Sequence, residues 1–418
     1  MLIKKIVSIF TSLKLTVTLL AFCIALVFVG TLAQADEGLY GAQAHYFNQW
    51  IVVGAQLFGY HVPLLLPGGY LLGVLLLANL ICAHIHRFQF TTKKIGIQLA
   101  HSGVIVLLVG QLATTMWSRE LQMHFYEGEK RNYSESTLKR ELVFRTKDEV
   151  TAIPQNLLKP GNDLAVANLP FSIRVINNWR NSTAVFRPPM MQNSPPLTTN
   201  GIGTKFNFVP IAEAKTMDDL NIPTAVFELV TPAGSLGKWV ATDDAMAGRV
   251  YNDAKKMFGE EMADKVSSLL LLPQIITAAG REFLFEFQPE REIHPFSLTL
   301  LKATHTVYPG TITSMNPEGI PKDFRSRVRI DNSQTGENRE VEISMNHPLR
   351  YGGYTFYQYQ MSAGEMVERA GQRPSSALQV VRNPSWLTPY IGCALVGLGL
   401  VIQFLKHLVG FISKRKAK

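Results

Sequence analysis

Ten histidines offer the chain's most legible chemistry, and one of them stands apart. His101 lies six residues inside Ile95 to Trp117, a stretch without a single Asp, Glu, Lys or Arg. At ~1.5 Å per helical residue, such a stretch crosses a bilayer core of ~30 Å. An ionisable side chain there is costly unless it is neutral, paired or bound, which makes it a functional-site candidate. Neutral imidazole ligates haem iron, and it also hydrogen-bonds between membrane helices. Ser102 and Gly103, which follow it, are small enough to admit a second helix or a flat ring. On the residues alone, ligation and a helix–helix hydrogen bond stand level.

The other histidines are less pointed. His84 and His86 close a second apolar stretch beside Arg87. They are weaker candidates for the same ligation, because a stretch end is hydrated and its histidines meet water or lipid headgroups. His45 and His61 flank the aromatic segment Ala44 to Tyr60. His124, His294, His305 and His347 lack HxxxH or HExxH spacing, so a zinc site has no support. His407 belongs to a basic tail. Cys23, Cys82 and Cys393 all fall in apolar stretches and read as packing residues. The long polar segment has no cysteine, hence no disulfide framework, CxxC pair or thiolate metal site. No residue reads as catalytic.

The elements that must position these residues follow from hydropathy. Four stretches reach the ~18–20 residues that a transmembrane helix needs. They fall at about 15–35, 63–86, 95–117 and from Trp386 onward. The first exceeds the 7–15 residues of a signal-peptide core and is followed by further spans, so it reads as an anchor. Basic residues gather at Lys4, Lys5 and Lys14, at Arg87, Lys93 and Lys94, and at Lys406, Lys414, Arg415, Lys416 and Lys418. The loop from Gln34 to His61 carries Asp36 and Glu37 and no Lys or Arg. The positive-inside rule therefore expects both termini and the second loop in the cytoplasm. Without those eleven residues, 30 basic face 32 acidic ones. The net charge of +9 is thus topological and gives no support to nucleic-acid binding.

The expected fold class is a multi-pass α-helical membrane protein of four transmembrane helices, with a large, mainly β exported domain between helices 3 and 4. Residues 1–117 form the membrane domain, 118–385 the exported domain, and 386–418 the fourth helix and basic tail. Thr204 to Pro210, Ala225 to Val230 and Glu282 to Phe287 alternate as strands rich in Phe and Val. Ser326 to Ile330 and Arg339 to Ile343 flank a long polar turn and read as a hairpin. A helical insert is expected over about 242–279. Residues 44–60, apolar and aromatic but short, are expected as an interfacial helix. The spans lack the charges or paired broken helices of ion-coupled transport.

Two stretches carry a family resemblance. Asn346-His-Pro-Leu-Arg-Tyr-Gly-Gly-Tyr-Thr-Phe-Tyr-Gln-Tyr-Gln360 resembles the signature of ResB-type cytochrome c biogenesis proteins. Ser12 to Leu20 with Gly30-Thr-Leu-Ala33 is similar to the family's first span, and Asn383-Pro-Ser-Trp386 to the start of its last helix. The resemblance implies a bacterial inner (cytoplasmic) membrane protein of system II, its large domain on the periplasmic side. It implies one half of a haem lyase complex that moves haem b outward for covalent attachment to apocytochrome c. The other half would be a multi-span partner with a tryptophan-rich segment. Trp50, Trp117, Trp179, Trp239 and Trp386 are scattered here, so this chain would need that partner. The family's third-span histidine, thought to ligate haem, matches His101 in Leu99-Ala-His-Ser-Gly-Val104. The competing expectation is a membrane scaffold without haem ligation. From the residues themselves, Tyr354, Phe356, Tyr357 and Tyr359 form an aromatic core strand behind a Gly352-Gly353 turn.

Overall fold

The computed structural model describes residues 7–86, 88, 91, 94–187, 195–213, 221–311, 320–364, 367, 369 and 371–416. Lys4, Lys5, Arg87, Lys93 and Lys418, which helped set the expected orientation, lie outside them. The chain divides into two units, one of residues 1–119 and 382–418 and the other holding the intervening residues, apart from a short stretch, 215–219.

The first unit contains four helices long and apolar enough to cross a membrane. They are α1 (Leu13–Ala42), α2 (Gly69–His86), α3 (Ile95–Trp117) and, closing the chain, α6 (Thr388–Lys416). Residues 44–60 do not form the expected helix. A π-turn (Gln43–Phe47) ends α1, and β1 (Ile51–Leu57) and β2 (Tyr60–Pro67) then pair as an antiparallel hairpin. The β-branched run Ile51-Val-Val53 favours strand, and Phe58-Gly59, both at positive φ, turns the chain. The hairpin also takes the first residues of the expected second span, so α2 starts at Gly69 rather than near residue 63.

Polar side chains lock these helices together. Asn79 is buried in α2, accepts a hydrogen bond from the Thr16 hydroxyl (2.7 Å) and donates to the Phe10 carbonyl (2.7 Å). The α3–α6 seam is built differently. Gly96, Gly103 and Gly110, seven residues apart, face Gly399, Gly392 and Thr388 on the antiparallel α6. A Cβ on Gly103 would stand 2.7 Å from the Gly392 carbonyl oxygen, so only a residue without one permits this approach. At the far end of the seam the Thr114 and Ser385 hydroxyls meet at 2.7 Å, and Asn383 donates to Thr114 at 3.2 Å.

The second unit is mainly β. Its ten-stranded sheet runs β15 (Glu337–Ser344), β14 (Pro321–Asn332), β13 (Arg281–Val307), β4 (Lys130–Arg145), β3 (Arg119–Tyr126), β18 (Ser375–Arg382), β17 (Tyr354–Ser362) and β16 (Leu349–Tyr351). β12 (Gln274–Ala278) and β5 (Val150–Pro154) branch from β13 and β4. The long β13 bends at register shifts beside Pro289 and Pro295, since proline donates nothing to a ladder. Its two halves serve two cores. One buries Phe144, Phe227 and Phe285 against the sheet β11 (Gly234–Thr242), β10 (Thr224–Thr231), β7 (Ser172–Trp179), β6 (Asp163–Ala165). The other buries Phe125, Phe296, Phe356 and Leu378. A third core joins that smaller sheet to the hairpin β8 (Ser182–Phe186), β9 (Phe206–Pro210) and to α4 (Ala245–Phe258) and α5 (Glu260–Ser268). The helical insert is therefore shorter than 242–279. Gly259, at φ 82°, divides it, and Gln274–Ala278 is strand, where Ile275, Ile276 and Thr277 bring β-branched side chains.

The expected hairpin forms between β14 and β15, with Asn332 opposite Glu337. The aromatic strand also forms. Tyr351 pairs with Tyr354 across Gly352-Gly353, both at positive φ as a two-residue hairpin turn requires. Tyr354 and Phe356 are core, whereas Tyr357 and Tyr359 are exposed.

The seam between α3 and α6 predicts its own sensitivity. Overpacking a tight contact costs about 1–3 kcal/mol, and here the obstacle is backbone, which cannot rotate away. Gly103→Leu should lower the yield and thermal midpoint of detergent-purified protein. Gly73→Leu, on α2 with nothing within 4 Å of the new Cβ, should be tolerated.

Candidate functional site

The glycine seam decides which way His101 points. Successive helical residues turn by ~100°, so two positions before Gly103 lies nearly the opposite face of α3. Gly96, Gly103 and Gly110 are buried, and His101 is exposed. Ile97, Val104 and Leu108, at helical spacing around His101, are exposed too. The imidazole thus sits within an unpartnered apolar stripe and makes no hydrogen bond to any described residue.

His84 comes from the last turn of α2 and meets it. The two rings are 6.3 Å apart between centroids, with planes at 85°. His84 Nε2 lies 3.3 Å from the Ser102 hydroxyl, while its Nδ1 is buried without a hydrogen-bond partner. Phe88 packs edge-on against the same ring at 5.6 Å. His84 is half-buried, contrary to the hydrated position expected of it; His86, two residues on, is exposed and takes no part. The interhelical hydrogen bond weighed for His101 is instead made by His84 and Ser102. Imidazole nitrogens without partners, on an apolar surface, suit axial ligation of an iron porphyrin. Among the described residues no group of three or more His, Cys, Asp and Glu is placed to hold a bare metal ion.

Two constellations were illegible in the sequence. At the end of α1, Glu37 is buried and pairs with His45 Nδ1, both carboxylate oxygens at 3.1 Å. Tyr46, fully buried, donates its hydroxyl to Glu37 at 3.2 Å. The only sequence signal is the Asp36-Glu37 pair, with a histidine eight residues after Glu37. In the second unit His294 is buried in β13, its Nε2 2.7 Å from the Ser134 hydroxyl and its ring stacked on Phe296. Burial pushes its pKa below the usual imidazole range, and nearby Glu292 only partly opposes this.

In class, this is an integral membrane protein with four candidate spans and one large, mainly β domain inserted before the last. Residues 274–373, which include His294 and the aromatic strand β17, match the model of the ResB-like family. The chain is similar to the cytochrome c biogenesis protein CcsB of Prochlorococcus marinus, 29% identical over 86 residues, 21% of this chain and 20% of the relative. It is similar to CcsB of Synechococcus sp. (strain CC9311), 36% identical over 69 residues, 16% of each chain. It is also similar to the protein NrfI of Wolinella succinogenes, 29% identical over 134 residues, 31% of this chain and 13% of the relative. The matched segments thus span a fifth or less of these relatives' length.

His294 makes the second unit sensitive to acid. Its folded pKa lies below the unfolded value, so the unfolded chain takes up the proton more readily. Stability is then full above about pH 6.5 and falls as pH drops from there toward the depressed folded value. Urea midpoints of the protein should decline across that window. In His294→Phe, which supplies a ring for the aromatic cluster and no titrating group, this part of the decline should vanish.

Proposed function

We propose that this chain acts in cytochrome c biogenesis as a membrane subunit that carries haem outward and presents it for covalent attachment to apocytochrome c. The observation that carries the reading is His101, an imidazole on an exposed apolar helix face that hydrogen-bonds no described residue. The ResB-like segment and the similarity to CcsB and NrfI support the same pathway. In this reading His101 is an axial ligand of haem b in transit. Its exposed stripe, with Ile97, Val104 and Leu108, receives the porphyrin edge and a helix of the tryptophan-rich partner. His84 stands beside it, fixed by Ser102, and closes one side of the site; His86 has no role. The four apolar helices cross a bacterial inner membrane with both termini cytoplasmic, and the β domain works on the periplasmic side.

The chain's own chemistry is to hold and position. Axial imidazole sets the state of the iron, and an apolar protein surface limits its oxidation. The thioether-forming step adds cysteine thiols of the apocytochrome across haem vinyl groups, S–H across C=C with no net electron transfer, and the reductant that keeps thiols and iron reduced comes from elsewhere. Cys23, Cys82 and Cys393 are single thiols on three different helices.

His101 tests the reading directly. A hydrogen bond between membrane helices is worth ~0.6–2 kcal/mol, and glutamine can replace one. His101→Gln should nevertheless lower the Soret absorbance of the purified complex and lose most cytochrome maturation. His101→Gly, which costs the helix only ~1 kcal/mol, should regain part of both when imidazole is added. Full haem content in His101→Gln would rule ligation out and leave a scaffold.

Partnership gives a second expectation. Expressed alone in a host without its own maturation system, the chain should not mature a reporter c-type cytochrome. Co-expression with a tryptophan-rich multi-span subunit should restore holocytochrome, read by haem-stained gels. Maturation by the lone chain would refute the split complex.

A further inference from the structure

The Glu37–His45 pair is a built site that the His101 reading does not use. In a continuous helix, residues eight apart are ~12 Å apart along the axis. Here the backbone breaks at Gly38 (φ 72°, ψ 170°), and the π-turn that follows brings His45 back onto the helix it has just left. Tyr46 and Phe47 close over Gly30, where a Cβ would meet the Phe47 ring at 2.8 Å. The fold thus places a histidine against a carboxylate that belongs to the end of the same span.

The hydrogen bonds converge on Glu37. The Gln56 backbone N–H in β1 donates to the Tyr46 hydroxyl (3.3 Å), and that hydroxyl donates to Glu37 (3.2 Å). Glu37, its side chain 11% exposed, accepts from His45 Nδ1. Asp36 beside it accepts from the Gly59 N–H at 3.1 Å and ties the hairpin turn to the same end of α1. A carboxylate at Nδ1 fixes the proton there, so in the neutral ring the Nε2 lone pair is free. The imidazole is 34% exposed, and no described residue bonds its Nε2. A histidine oriented by a buried carboxylate through one nitrogen, with the other open, is the arrangement that metal-ligating histidines use. A merely structural ion pair needs neither the buried tyrosine behind the carboxylate nor the open nitrogen in front.

We propose that His45 Nε2 is a second haem-iron ligand, at the end of α1 opposite the N-terminus, with Glu37 as its orienting carboxylate. The inference rests on the haem-handling reading above. Ligation at His101 and at His45 places iron sites near opposite ends of the membrane unit, one near the end of α2 and the start of α3 and one beside the β1–β2 hairpin. Glu37 strengthens the donor character of His45 and favours ferric iron, as a carboxylate behind a ligating imidazole does. The hairpin exposes Ile51, Val53, Tyr60 and Leu65, an apolar surface suited to a porphyrin or to the subunit that shares it.

The test titrates the full-length, detergent-purified chain with ferric haem. His45→Gln keeps an amide donor for Glu37 while removing the ligand nitrogen, so the turn survives. In a His101→Ala background, haem should still bind, and adding His45→Gln should abolish that binding. Glu37→Gln should retain that haem but shift its reduction potential upward, an effect that a purely structural pair would not produce. Unchanged haem binding on adding His45→Gln to His101→Ala would overturn the inference while leaving the His101 reading intact, as would a potential unmoved by Glu37→Gln. Failure of the wild-type chain to bind haem at all would overturn both.

Discussion

In the first unit, everything is built on the approach of α3 to α6. Three glycines at seven-residue spacing let the two helices come together, with backbone carbonyl oxygens at Gly96 and Gly103 and the Thr388 side chain at Gly110 where a β-carbon would otherwise stand. In a bilayer the hydrophobic effect does not hold helices together, so close packing and a few polar contacts must. The seam supplies both: glycine against glycine along its length, and Thr114, Asn383 and Ser385 bonded at one end. The large β unit is inserted between these two helices, and its flanking residues therefore leave and return at one place. The seam also occupies one face of α3 and turns His101 to the other.

Polar groups elsewhere in this unit divide into two kinds. Asn79 is buried and fully engaged with Thr16 and the Phe10 carbonyl, and it serves α1–α2 packing. His101 has no such partner, and His84 leaves one buried nitrogen without one. An unpartnered polar atom in an apolar setting is costly; the structural residues have discharged that cost and the candidate ligands have not. The Glu37–His45 pair lies between these cases, satisfied at one nitrogen and open at the other.

The β unit shows how one sequence segment serves two cores. β13 runs for 27 residues and is bent at its two prolines, so its first half lies in the Phe144–Phe285 core and its second in the Phe296–Phe356 core. The ResB-like segment, 274–373, begins at β12 and covers all of β13 through β17. The Gly352-Gly353 turn is fitted to this second core as well, since the Phe296 ring occupies the space a Cβ on Gly352 would need.

The sequence by itself determined the four apolar helices, because a run of uncharged residues long enough to span a bilayer is a one-dimensional property that needs no partner. It also determined the β14–β15 hairpin and the aromatic strand β17, through alternation and turn residues adjacent in the chain. His101 was legible for the same reason: a lone imidazole in an apolar run is conspicuous without coordinates. What only the tertiary structure decided are the contacts that hydropathy cannot order. Residues 44–60 are apolar and aromatic whether helical or paired, and pairing of Ile51–Leu57 with Tyr60–Pro67 made their later part a hairpin strand. His84 read as a wet residue at a helix end until the packing of α2 beside α3 brought it against His101 and Ser102. Glu37 and His45 looked like ordinary loop residues, and a backbone break at Gly38 made them a pair, since a straight helix would hold them two turns apart.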